Sequence, residues 1–135
     1  MKQLWKMVAY TVLAVCLVAV GVVRGKQPAG TEQTVMHVVA FTLHDGVTTP
    51  DLAALESASA ELVRSVPGLK RAWVGKLRQP LALEGETRTH GLIFEFIDLP
   101  SRQAYSSHPA RAVWAKVWDK VRKSGTNLDV IGKDE

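Results

Sequence analysis

From Val35 onward the hydrophobic positions follow two periods in turn. Val35, Val39, Phe41 and Leu43 fall on one side of a two-residue repeat and Met36, Val38 and Ala40 on the other, which predicts a strand over Val35 to Leu43 that is covered on both faces. Asp45-Gly46 ends it. Thr49 then offers a helix cap before Pro50, and Leu52, Leu55, Ala58, Leu62 and Val66 recur at helical spacing, giving a helix with one apolar stripe. Pro67-Gly68 breaks this helix, and Leu69 to Leu77 reads as a second strand. Gln79 to Arg88 carries Pro80, Gly85 and the charges of Glu84, Glu86 and Arg88, so it reads as a polar loop. A third strand follows from Thr89 to Phe96, with His90, Leu92, Phe94 and Phe96 on one face. Leu99 to Ser107 predicts a short helix, Pro109 to Lys123 a longer one, and Leu128 to Ile131 a last edge strand.

Strand, helix, strand, strand, helix, strand is the split βαβ order of an α+β, ferredoxin-like fold. Helices cover only one face of such a four-stranded sheet. The first strand is apolar on its other face as well, and a single chain has nothing left to cover that face. A second copy, stacked sheet to sheet about a two-fold axis, buries both apolar surfaces and predicts a homodimer.

The first thirty residues have another character. Met7 to Val23 contains no charge, follows Lys2 and Lys6, and precedes Arg24-Gly25-Lys26, the arrangement of an export signal or a membrane anchor. As a helix this run spans roughly 25 Å against a hydrocarbon core of ~30 Å, the lower limit for crossing a bilayer. Residues 1–26 are therefore expected to be a signal peptide or anchor that makes the protein exported or membrane-attached. Gln27 to Thr34 reads as a linker, and residues 35–135 as the folded domain.

Charge adds an exclusion. The net charge of +4 is supplied entirely by Lys2, Lys6, Arg24 and Lys26, and the 13 basic residues after them match 13 acidic ones. A basic footprint for nucleic acid is missing. The single cysteine, Cys16, lies in the apolar run and excludes an intramolecular disulfide. No compact carboxylate cluster, zinc spacing, phosphate loop or Ser-His-Asp arrangement is visible, so neither metal nor cofactor is expected.

Candidate chemistry gathers around Tyr105-Ser106-Ser107-His108-Pro109-Ala110-Arg111. Proline at the first turn of a helix loses nothing and pushes the preceding residue out of the helical region, so His108 is expected at a helix N-terminus. Together with His37 in Val35-Met36-His37-Val38-Val39 and His90 in Thr89-His90-Gly91, this pattern resembles the stress-responsive A/B barrel family, often called Dabb, over residues 35 to 131. The resemblance implies a homodimer whose two sheets form a barrel with the helices outside. It also implies a cavity between sheet and helices, in which a plant polyketide cyclase of the family uses a tyrosine and a histidine. The family pattern there is Tyr-x-x-His-Pro-x-His. Tyr105, His108 and Pro109 keep it, whereas Arg111 replaces the histidine that acts as base.

A guanidinium with a pKa above about 12 accepts no proton, so cyclase-type catalysis is not expected. It does hold carboxylate or phosphate by a fork of N–H groups. The candidate ligand-binding residues are thus His37, His90, Tyr105, His108 and Arg111, around a small apolar or anionic molecule. Competing with that reading, His37 and His90 serve as core histidines, His108 as a cap, and Trp114 and Trp118 as core. An enzyme using Tyr105 with His37 or His90 is the alternative function, and a structural protein whose own side chains fill the cavity is a third.

Overall fold

The computed structural model describes residues 33–132. The expected signal or anchor at 7–23 and most of the expected linker lie outside them. Four strands and three helices follow in the order β1 (Val35–Leu43), α1 (Thr49–Ser65), β2 (Leu69–Leu83), β3 (Glu86–Phe96), α2 (Leu99–Tyr105), α3 (Pro109–Val121) and β4 (Arg122–Ile131). The sheet is antiparallel in the order β2-β3-β1-β4, so β1 and β3 are central. This is the ferredoxin-like α+β arrangement the periodicity predicts. Among the described residues no helix is long and apolar enough to cross a membrane.

Side-chain alternation divides the sheet into two faces. Val35, Val39, Phe41, Leu92, Phe94 and Phe96 are buried under the helices, where they meet Leu55 and Leu62 of α1 and Trp114, Trp118 and Val121 of α3. The opposite face carries an apolar row across all four strands, Trp73–Ile93–Val38–Leu128, fixed by the pairings Trp73↔Ile93, Val38↔Ile93 and Val38↔Leu128. Trp73 and Leu128 there are 43% and 53% exposed. No described element covers this face.

Local chemistry sets the ends of the elements. Thr48, one residue before the expected Thr49, caps α1, and its backbone N–H donates to Asp51 Oδ2 at 2.8 Å in a capping box. Gly68 has φ +81°, and a Cβ there would overlap the side chain of Ser101, so the turn into β2 needs glycine. The segment Gln79 to Arg88 is not a loop. It is the outer part of a β2–β3 ribbon closed by Glu84 and Gly85, both at positive φ as a two-residue hairpin turn requires. Pro80, which has no N–H to give to a ladder, sits in the irregular stretch between Lys76 and Leu81.

Three further boundaries differ from expectation. β4 starts at Arg122, not Leu128, α3 ends at Val121, before Lys123, and α2 stops at Tyr105, before Ser107. Lys123 thus lies in a strand, because the chain turns directly from α3 into pairing with β1, where Arg122 opposes Leu43. Beneath the ribbon, buried Arg88 donates to Glu86 and Ser124 and, at 3.4 Å, to Thr42 and Thr126. These bonds tie the ribbon to the near ends of β1 and β4.

Candidate functional site

A cavity of about 170 Å³ opens between the helix-covered face of the sheet and helices α2 and α3. Its floor is strand: His37 and Val39 of β1, Leu92 and Phe94 of β3, Asn127 of β4. Its walls are helix: Arg102 and Tyr105 of α2, Arg111, Trp114 and Trp118 of α3, with Arg122 at the start of β4.

His37 reaches the cavity because strand alternation places it with Val35 and Val39, opposite Phe94 on one side and Asp129 on the other. Its Nδ1 lies 2.6 Å from Asp129 Oδ1. An ionised carboxylate only accepts, so Nδ1 carries the proton and Nε2 is left as the acceptor. Nε2 has no hydrogen-bond partner among the described residues. Arg102 Nη2 is 3.0 Å from the same Nδ1, but two donors do not bond each other. Arg102 is held instead by Asp129, whose Oδ1 accepts from its Nε at 3.2 Å, and by Ser106, whose Oγ accepts from its Nη1 at 3.2 Å.

Protonation follows from these contacts. Burial lowers the His37 pKa below its ordinary value, the Asp129 bond offsets part of this, and the Arg102 and Arg111 charges add to the lowering. Burial alone would raise Asp129, yet the bonds from His37 and Arg102 outweigh it and hold the carboxyl below its usual value. Near neutral pH the pair is therefore a neutral imidazole on a carboxylate, with Nε2 free to take a proton. Tyr105 is 3% exposed, with its ring edge-on to Phe94 at 5.7 Å and tilted on Phe96 at 5.3 Å. Burial raises its pKa, with Arg111 and Arg102 opposing, so the phenol stays protonated.

A pH dependence of stability follows. His37, and likewise His90 through burial and Lys76, bind a proton less readily folded than unfolded. As pH falls below about 6.5 the unfolded chain takes up protons first, so stability is complete above that value and declines toward the lower folded values. Asp129 adds a second loss below about 3.9 by the same sign. Urea midpoints should fall as the pH drops below about 6.5, with a shallower slope in His37→Gln.

Arg111 and the tryptophans come from one helix. His108 caps α3 as its sequence predicts, its Nδ1 accepting from the Ala110 N–H at 3.2 Å. Pro109 starts the helix, and Arg111 one turn in lies 5.6 Å from the Tyr105 ring centre. Trp114 and Trp118 stack at 5.2 Å, and Trp114 Nε1 donates to buried Ser59 Oγ at 2.9 Å. They are core residues, as their spacing predicts, and also cavity wall. Of the five sequence candidates, the fold brings His37, Tyr105 and Arg111 together around the cavity. His108 and His90 do not line it. His90 instead packs on Phe41, ring centres 5.7 Å apart, and its Nδ1 bonds Thr89 Oγ1 at 2.9 Å.

Asp129, Arg102, Arg122 and Asn127 are site residues the sequence reading missed. Asp129 left a faint signal, as an acid between Leu128 and Val130 that alternation points away from their face. Arg102, Arg111 and Arg122 line the cavity against two paired carboxylates, Asp129 and Asp119, which leaves it with surplus positive charge. Among the described residues no cluster of His, Cys, Asp or Glu has metal-binding geometry.

This architecture recurs in solved structures. A hydroxynitrile lyase from Passiflora edulis is 15% identical, with a TM-score of 0.63 over 77% of this chain and 97% of that one. A dimeric ferredoxin-like protein from Thermobifida fusca is 16% identical, with a TM-score of 0.59 over 78% of this chain and 96% of that one. A Dabb family protein from Mesorhizobium loti is 16% identical, with a TM-score of 0.60 over 76% of this chain and 99% of that one. At such identities the likeness is one of fold. No curated protein sequence matches. The profile of the Stress Responsive A/B Barrel Domain, however, matches residues 35–131. The sheet order, the helix-covered cavity and that match agree, and the chain belongs to the stress-responsive A/B barrel family.

Proposed function

We propose that this protein is a dimeric small-ligand-binding module that holds an anionic molecule between its sheet and helices α2 and α3. The observation that carries this reading is the cavity itself, where Arg102, Arg111 and Arg122 outnumber the two carboxylates paired with them, Asp129 with Arg102 and Asp119 with Arg122. Arg111 stands where the family's base would be and stays charged, so it favours a bound anion and does no proton transfer. The dimer is supported by the uncovered apolar row on the open face and by relatives described as dimeric. Sheet-to-sheet stacking would bury Val38 and Ile93 on both copies. Residues 7–23 would deliver the module to a membrane, as an anchor or a cleaved signal. Fractionation with mass spectrometry of the N-terminus distinguishes these, and intact protein wholly in the cytosol contradicts both.

Arg111→Ala is the experiment for the site. A charged hydrogen bond contributes roughly 1.5 to 3 kcal/mol, so binding of an anionic ligand should weaken by about tenfold to a hundredfold, measured calorimetrically, while the urea midpoint stays put. An unchanged affinity contradicts the reading.

The His37–Asp129 pair favours a second reading, an enzyme in which Nε2 takes a proton and Tyr105 donates a hydrogen bond to the charge that develops. A positioned base contributes about 10²–10⁴ in rate. If the unmodified chain exchanges an acidic C–H proton of a polyketide-like substrate and His37→Gln removes that activity, the enzymatic reading stands. Its absence in both chains leaves the binding module.

A further inference from the structure

We infer that the cavity takes up its anion together with a proton, which settles on Nε2 of His37, so that anion affinity is set by pH. The inference rests on the ligand-binding reading above and adds the regulation of that site. The placement of one imidazole carries it. His37 is committed at Nδ1, which donates to Asp129 Oδ1 at 2.6 Å, and its Nε2 has no partner among the described residues. Unlike the buried Nε of Arg122, this nitrogen is not enclosed by the described residues, and the space beside His37 is the cavity. At about 170 Å³ that space is small, so an anion held at Arg111 stays within the field of the ring.

The groups around the ring come from every element packed on it. Asp129 of β4 stands behind Nδ1, and Arg102 of α2 is tied to the same carboxylate. Arg111 of α3 and Arg122 at the start of β4 line the cavity, as does the phenol of Tyr105 on α2, while β3 presents the uncharged Phe94. Burial, with the positive charges of Arg102 and Arg111, keeps the imidazole neutral near neutral pH. A bound anion reverses that balance. It offsets the arginine charges, and it offers only acceptors, which cannot bond the lone pair of a neutral Nε2. Once protonated, Nε2 is a donor, and each ring N–H then has a negative partner, Asp129 on one side and the anion on the other. The proton comes from solvent, forms one N–H bond at Nε2 and leaves with the anion, and no other bond changes. By reciprocity, an anion that prefers the imidazolium raises the affinity of the ring for its proton by the same factor.

The test is calorimetric titration of the full chain with acetate, which stays ionised between about pH 8 and about pH 6, at both ends of that range and in two buffers of different ionisation heat. Affinity should rise about threefold or more as the pH falls, with a fraction of a proton taken up per acetate bound. In His37→Gln, whose amide can still donate to Asp129, both the rise and the uptake should disappear. The buffer comparison needs no variant, and binding to the unmodified chain without proton uptake overturns the inference by itself. A rise in affinity that His37→Gln retains overturns it as well, while weaker acetate binding in Arg111→Ala at both pH values would still uphold the anion site. If acetate binds at neither pH, the inference and the binding-module reading both fall.

Discussion

Phe94→Ala should destabilise the domain by about 3–5 kcal/mol, the largest loss expected of any single truncation here. Phe94 is fully buried in a central strand. Its ring lies 5.4 Å from Trp114, 5.7 Å from Tyr105 and 6.5 Å from His37, so removing it opens a void among three aromatic neighbours that the flanking strands hold apart. Against a total of roughly 5–15 kcal/mol for a small domain, such a loss leaves little reserve. Urea denaturation of a chain beginning at residue 27 measures it, and Phe94→Leu should recover more than half. A loss below about 1 kcal/mol would mean that the sheet and helices do not pack as described. The same ring forms part of the cavity floor, which links the largest stabilising contact of the core to the shape of the site.

The second large effect concerns the open face. Val38 lies at the middle of the row Trp73–Ile93–Val38–Leu128, with its side chain directed away from the helices. Val38→Asp leaves the helix-side core intact but would put a carboxylate from each copy into the apolar contact of a sheet-to-sheet dimer. Burying an unpaired charge costs several kcal/mol, so dimer affinity should fall by at least a hundredfold, on the order of 3 kcal/mol, and the variant should sediment as a folded monomer. A dimer of undiminished affinity would show that the copies meet elsewhere, and a monomeric parent chain would show that the open face has another use.

Much of this architecture is legible in the sequence because burial imposes a period. Val35 to Leu43, the stripe of Leu55 and Leu62, the alternation of Leu92, Phe94 and Phe96, and the Pro109 helix start each follow from contact with the core. Where contact ends, the signal ends. The outer ribbon of β2 and β3 packs on no helix, so Gln79 to Arg88 shows turn chemistry and charge without alternation, and only Glu84-Gly85 marks the hairpin. The first half of β4, Arg122 to Asn127, is an edge with polar residues on both faces and looks like loop for the same reason.

The site divides likewise. Tyr105, His37 and Arg111 sit on elements the periodicity places, whereas Asp129 and Arg102 become site residues only through a cross-strand register and a helix position. His90 shares a face with Phe94 but stands four residues along its strand, far enough to pack on Phe41 and miss the cavity lining.

The central claim is that the space between the sheet and helices α2 and α3 is a binding site. A crystal structure of the folded domain soaked with acetate and, separately, with phosphate tests it most directly. The account predicts anion density inside the cavity, within hydrogen-bond distance of Arg111. A cavity closed by its own side chains, or anions bound only elsewhere on the molecule, would contradict it.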